Sequence, residues 1–141
     1  MNTGNEMLLD ALYLSMQNIA GLNLYDVNQL TWDWDVGESV PPKDQFNISW
    51  RPGANRVIIV FSDEEPQSYM VPEISANDIM QMCSAVPQLK TYAFSTKTYY
   101  DWDEIADKCG GKYFPLVDNA TEMYNYLMEI LDEVCAAPSE N

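Results

Sequence analysis

The sequence predicts an α/β fold: an open parallel sheet of about three strands with flanking helices and an inserted, hairpin-like excursion. Three observations carry this expectation. Short strand-like runs at residues 56–61, 90–95 and 112–117 alternate with helical apolar stripes. Strands separated by single helices pair in parallel through right-handed crossovers. The run Val57-Ile58-Ile59-Val60-Phe61 is continuous rather than alternating, as suits a strand covered on both faces. Finally, 141 residues with 47% hydrophobic content make one domain with a real core.

The chain opens with a helix over residues 7–19. Leu8, Leu12, Met16 and Ile19 form an apolar stripe that Leu9 and Tyr13 widen, and Gly21 stops it. Residues 20–54 read as the excursion. Residues 30–36 alternate in the strand manner, Pro41 and Pro42 turn the chain, and residues 46–50 are again extended. Three of the four tryptophans lie here, either as an exposed contact surface or as cover for one end of the sheet.

The strand 56–61 then runs into Ser62-Asp63-Glu64-Glu65-Pro66, and residues 67–74 read as a loop. Ser75 with Asp78 makes a capping-box pattern for the next helix. Its inward stripe is Ile79, Met82, Cys83 and Val86, and Pro87 ends it. The strand 90–95 leads into the polar turn Thr96-Lys97-Thr98. A short helix over 99–109 turns Trp102, Ile105, Ala106 and Cys109 inward, and Gly110-Gly111 closes it with a left-handed cap. After the strand 112–117, Asn119 and Glu122 begin the last helix. Met123, Leu127, Ile130, Leu131 and Val134 carry its stripe to Cys135.

Composition narrows the function classes. Seven basic and 22 acidic residues give a net charge of −15. Such a surface repels nucleic-acid phosphates and anionic lipid, and it favours cations. Histidine is absent, which removes imidazole acid–base catalysis, Ser-His and Cys-His nucleophiles and His-ligated zinc. A metal would be held by oxygen, hence magnesium, calcium or manganese. The three cysteines, Cys83, Cys109 and Cys135, lack CxxC spacing. They fit one bridge with a thiol left over, or three packed thiols. The N-terminus lacks the basic and apolar regions of a signal peptide, and no segment approaches a membrane-spanning length.

The acidic turn after strand 56–61 invites two readings. In open α/β sheets ligands bind at the carboxyl ends of the strands, so Asp63 is a candidate ligand for a metal in a crevice. The alternative is a solvated acidic turn.

Several stretches together resemble a von Willebrand factor A domain. Arg51-Pro52-Gly53-Ala54, the strand Val57-Ile58-Ile59-Val60-Phe61 and Ser62-Asp63-Glu64-Glu65 are similar to its fourth-strand region. Ile105-Ala106, then Gly110-Gly111-Lys112-Tyr113-Phe114 and a final helix, resemble its last strand and helix. The opening Gly4-Asn5-Glu6 with Leu9-Asp10-Ala11-Leu12 resembles the loop into its third helix. The resemblance implies a divalent cation, magnesium or calcium, at the carboxyl edge of the sheet in a metal-ion-dependent adhesion site. Asp63 stands at one ligand position and Glu6 at another, with Thr3 and Asn5 as weaker candidates nearby. Glu64, Ser95 and Thr96 would border the surface that meets a partner.

The departure from the family is the absent Asp-x-Ser-x-Ser, along with the early strands that carry it in that family. The chain resembles the carboxyl-terminal portion of such a domain, and strand 56–61 is then expected at an edge. An apolar edge is an aggregation hazard unless covered. A separate chain supplying the missing strands, a second copy of this chain, or the excursion folded back would each cover it.

The resemblance implies a protein-binding or cell-adhesion module without catalysis, engaging a carboxylate of a protein partner through the cation. It further implies an extracellular or cell-surface location. A structural subunit with a degenerate metal site is one alternative, and a magnesium-dependent hydrolase another. No nucleic-acid partner and no membrane insertion are expected. Cys109 and Cys135 each end a helix that returns to the amino edge of the sheet, an arrangement that allows a bridge between them; packed thiols are the alternative.

Overall fold

The computed structural model describes residues 7–19, 31–32, 50–96 and 100–136. In chain order the elements are α1 (Leu8–Ile19), β1 (Thr31–Trp32), β2 (Arg56–Ser62), β3 (Met70–Val71), α2 (Ala76–Ala85), β4 (Leu89–Ser95), α3 (Tyr100–Lys108), β5 (Tyr113–Pro115) and α4 (Ala120–Cys135). Strands β2, β4 and β5 form an open parallel sheet in that order. The α/β architecture expected from the sequence is therefore the one found. β4 is central. It matches β2 from Arg56↔Leu89 to Ser62↔Ser95 and β5 from Ala93↔Tyr113 to Ser95↔Pro115.

The alternation of side chains along the strands builds two cores. On one face Val60 and Ala93 join Leu12 and Met16 of α1, Ile79 and Cys83 of α2, and Trp102 and Ile105 of α3. On the other face Tyr92, Phe94 and Phe114 pack against Ile130, with Met123, Tyr126, Leu127 and Val134 of α4 around them. The crossovers β2–α2–β4 and β4–α3–β5 step the same way across the sheet. Right-handed connections then place α2 and α3 on a common face. Surface ion pairs fasten α4 to the amino ends of the strands: Lys90–Glu133 at 3.1 Å and Lys112–Glu129 at 2.9 Å. Their exposure limits each to a small contribution.

Helix ends follow the residues that predict them. The Ser75 hydroxyl accepts from the Asp78 N–H at 3.2 Å while the Asp78 carboxylate accepts from the Ser75 N–H at 2.8 Å. The Ser75 hydroxyl also donates to the Asp78 carboxylate at 2.6 Å, and this bond, with the one from the Ser75 N–H, holds the Asp78 carboxyl below its ordinary pKa. Asn119 accepts from the Glu122 N–H at 3.0 Å and starts α4. At the end of α3, Gly110 has φ +75°. Its N–H donates to the Asp107 carbonyl at 3.2 Å and the Gly111 N–H to that of Ala106 at 2.9 Å. This paired pattern, with the left-handed residue at its centre, satisfies the last carbonyls of the helix.

Two expectations are corrected. Thr31 and Trp32 pair antiparallel with Val71 and Met70, so a strand stands within the stretch 67–74 that reads as a loop. The cause is Ser68, whose hydroxyl accepts from the N–H groups of Met70 at 3.3 Å and Ile74 at 2.9 Å and so gathers this segment. The rest of the predicted hairpin-like excursion, residues 20–30 and 33–49, lies outside the described residues. Second, the disulfide joins Cys83 to Cys109, with their Cα atoms 5.5 Å apart. The bridge that the sequence allows between Cys109 and Cys135 is therefore not the one formed, nor are the three cysteines all packed thiols. Cys109 closes α3 on the face it shares with α2, whereas Cys135 ends α4, which packs on the opposite face, and is an exposed free thiol.

Tyr92 gives this core a pH signature. Burial, aided by the negative charge of Glu133, pushes its phenol up to about 12 from an ordinary 10.0. The fold therefore favours the neutral phenol. The corresponding stability is complete below pH 10.0 and is lost as pH rises towards about 12. The expected outcome is a loss of about 3 kcal/mol across that titration, absent in Tyr92→Phe, as read by urea denaturation at a series of alkaline pH values.

Candidate functional site

β2 and β4 end side by side, with Ser62 opposite Ser95. The chain then leaves the sheet through Asp63, Glu64 and Glu65. This acidic turn is held firmly. The buried Ser62 hydroxyl accepts from the Glu64 N–H at 3.1 Å and donates to the Glu64 carbonyl at 3.0 Å. The indole N–H of Trp102 donates to the same carbonyl at 2.9 Å. Trp102 is fully buried in the core beneath the sheet, so the turn is fastened to α3. A stripe position on a short helix predicts that Trp102 faces inward. It does not reveal that the indole nitrogen reaches a turn 38 residues away in sequence.

The segment beyond the turn is tied to α1. The Leu9 N–H donates to the Gln67 carbonyl at 3.1 Å. Asp10 is only 1% exposed and accepts from the Ser68 hydroxyl and from the Tyr69 N–H, the latter at 2.8 Å. Burial raises its carboxyl above the ordinary value, against the pull of these hydrogen bonds. Buried polar groups are retained where their hydrogen bonds are satisfied, and Asp10 organises the backbone of 68–69. Its role was not legible from helical periodicity, which places a carboxylate on the solvent face by default.

The candidate residues fare differently. Asp63 is exposed at the sheet edge and Glu64 half-buried beside it, with Thr96 half-buried beyond the end of β4. Ser95 is corrected. It is 0% exposed, because β4 is the central strand and Ser95 still pairs with Ser62 on one side and Pro115 on the other. It cannot touch a partner. Thr3, Asn5 and Glu6 lie outside the described residues. Among the described residues no three Cys, Asp or Glu side chains are arranged to hold a metal ion. The described part of this edge thus offers Asp63 with Glu64 beside it, where magnesium or calcium takes a fuller oxygen shell.

At the opposite, amino edge a cleft of about 400 Å³ is lined by Asn55, Arg56, Gln88, Lys90, Glu133 and Val134 among others. Its polar groups engage one another and the backbone. Lys90 pairs with Glu133 at 3.1 Å, Arg56 donates to the Pro87 carbonyl at 3.0 Å, and Asn55 donates to the Val134 carbonyl at 2.9 Å. The Lys90 and Asn55 contacts tie α4 to the strand ends.

The remaining feature is the flank of β2 away from β4. Among the described residues no strand pairs with it. Ile59 is 36% exposed and Phe61 48%. The rings of Phe61, Phe94 and Phe114 stack in a row across all three strands, with centroids 4.7 and 5.1 Å apart. A continuous aromatic row therefore runs out of the core and ends at an exposed ring on an open edge. No helix among the described residues is long and apolar enough to cross a membrane. No family model matches the chain, and neither a curated protein nor a solved structure does.

Proposed function

We propose that the chain is a non-catalytic protein-binding module of the von Willebrand factor A type, whose contact element is β2 with the acidic turn at its end. The observation that carries this reading is the flank of β2, unpaired among the described residues, where Ile59 and Phe61 are exposed. An open apolar strand edge is a template for a strand from another chain. The rigidly held turn at Asp63 supports the same reading, since it presents charge in a fixed place beside that edge. The Cys83–Cys109 bridge is compatible with a secreted or cell-surface setting.

Amide exchange in the monomeric chain tests the reading. Arg56 N–H donates towards β4, to the Gln88 carbonyl, and alternation along a parallel ladder directs Ile58 and Val60 the same way. Their amides should be protected. The amides of Val57, Ile59 and Phe61 point to the open flank and should exchange fast. Protection of Val57, Ile59 and Phe61 as well in a monomer would mean that the flank is covered within the chain, and the reading would fail.

The scarcity of ligands around Asp63 favours a second reading within the first, a structural subunit whose own ion site is degenerate. Magnesium or calcium then enters only with oxygen ligands from the partner. Calorimetry of the isolated chain with magnesium, calcium and manganese should give no binding heat. Saturable heat abolished by Asp63→Asn would show a complete site in this chain.

A further inference from the structure

We infer that the strand which completes this sheet is β2 of a second copy of the chain, running antiparallel and centred on Ile59. The inference rests on the protein-binding reading above and names its partner.

The backbone sets the register. Because the Arg56 N–H points to β4, the N–H and C=O groups of Val57, Ile59 and Phe61 point outwards together. In an antiparallel pair about Ile59, Val57 stands opposite Phe61 of the second copy, Ile59 opposite Ile59, and Phe61 opposite Val57. Each of these is a position at which both residues exchange N–H···O bonds. Shifting the register by two residues loses one such pair, and shifting by one sets outward groups against inward ones. The two open three-stranded sheets become one sheet of six with no β2 edge left.

Side chains agree with the backbone. Val57, Ile59 and Phe61 lie on the α4 face of the sheet, where Phe61 already stacks on Phe94. Antiparallel pairing extends this apolar row with Val57 and Ile59 of the second copy, and aromatic–β-branched cross-strand pairs are favourable. The charges are asymmetric in the direction this needs. Arg56 begins β2, and Asp63, Glu64 and Glu65 follow its end. Antiparallel pairing sets Arg56 of each copy beside the acidic turn of the other. Parallel pairing would set the two acidic turns together. The net charge of −15 on each copy opposes association, but it is screened beyond about 8 Å at physiological salt. A two-fold, self-complementary contact is also the commonest way in which soluble chains associate.

The test is sedimentation at physiological salt combined with cross-linking. The wild-type chain should show a concentration-dependent monomer–dimer equilibrium. Ile59→Lys, at an exposed position, should weaken it at least tenfold, as should Asp63→Lys in the exposed turn, which sets a lysine beside Arg56 of the other copy. In a Cys135→Ser background, Ile59→Cys should oxidise to a covalent dimer. Facing Cα atoms at such a position stand about 5.5 Å apart, within disulfide range. Val57→Cys, which faces Phe61, should cross-link far less. A chain that stays monomeric to its solubility limit with fast-exchanging Val57, Ile59 and Phe61 amides overturns self-pairing and leaves the protein-binding reading standing. A monomer with those amides protected overturns both. A dimer indifferent to Ile59→Lys and Asp63→Lys, or one in which Val57→Cys cross-links as readily as Ile59→Cys, overturns the register and the inference with it.

Discussion

Gly111→Ala is expected to destabilise the chain by about 3–5 kcal/mol, near the upper end of single-residue effects. A Cβ built on Gly111 would lie 2.0 Å from the Thr91 carbonyl oxygen and 2.7 Å from its carbon. Both atoms belong to the backbone of β4, the central strand. No rotamer change relieves such a clash, so the turn or the strand must move. The turn is pinned on both sides: the Thr91 N–H donates to the Cys109 carbonyl at 3.2 Å and the Ala93 N–H to the Lys112 carbonyl at 3.1 Å. Two other glycines calibrate the effect. Gly53, at φ +71°, has nothing within 4 Å of a built Cβ, and Gly110, at φ +75°, meets only ordinary contacts. Alanine at either should cost about 1–2 kcal/mol, the cost of a left-handed residue that has a Cβ. Urea denaturation of the three variants therefore separates close approach from backbone conformation. Equal losses at Gly111 and Gly53 would show that the approach to β4 is looser than described.

Much of this fold is local and was legible. The apolar residues at 57–61 and 92–94 stand out because helices cover β2 and β4. Ser75, Asn119 and Gly110 mark helix ends because their side chains, or the lack of one, solve a backbone problem within a few residues. What remained hidden is non-local. The Ser68 hydroxyl and the Asp10 carboxylate meet from 58 residues apart, and neither the strand at Met70 nor the burial of Asp10 can be anticipated without that meeting. Ser95 looks like any polar strand end until β4 is known to be central. The partner of Cys109 depends on strand order. Once the order β2-β4-β5 is known, handedness puts α2 and α3 together. Among the described residues no strand follows α4, so the crossover rule does not fix its face. At the candidate site the sequence singled out Asp63, and the structure keeps it exposed at the sheet edge. The aromatic row ending at Phe61 depends on registers that a sequence does not display.

Removing the Cys83–Cys109 bridge is the second large effect expected, about 3.5 kcal/mol from the chain entropy of closing a loop of this size. The bridge spans 26 residues of sequence and encloses all of β4. The same span carries α3, which packs with α2 in the core on the α1 face. Cutting it frees the unfolded chain and leaves two small buried thiols in a well-packed site, so the loss falls mainly on the unfolded state. The Cys83→Ala/Cys109→Ala variant should keep the native sheet while its thermal midpoint drops by roughly 10 °C. The loss should also scale with reduction: the wild-type chain under strong reductant should melt where the variant does. Thiol counting gives an independent check. The oxidised chain should label once without unfolding, at exposed Cys135, and three times after reduction and unfolding. Labelling at Cys83 in the oxidised chain, or a melting point unchanged by reductant, would show that the bridge does not carry this corner. Cys135 would then again be a candidate partner for Cys109, and α4 would have to sit elsewhere than on the Tyr92 face.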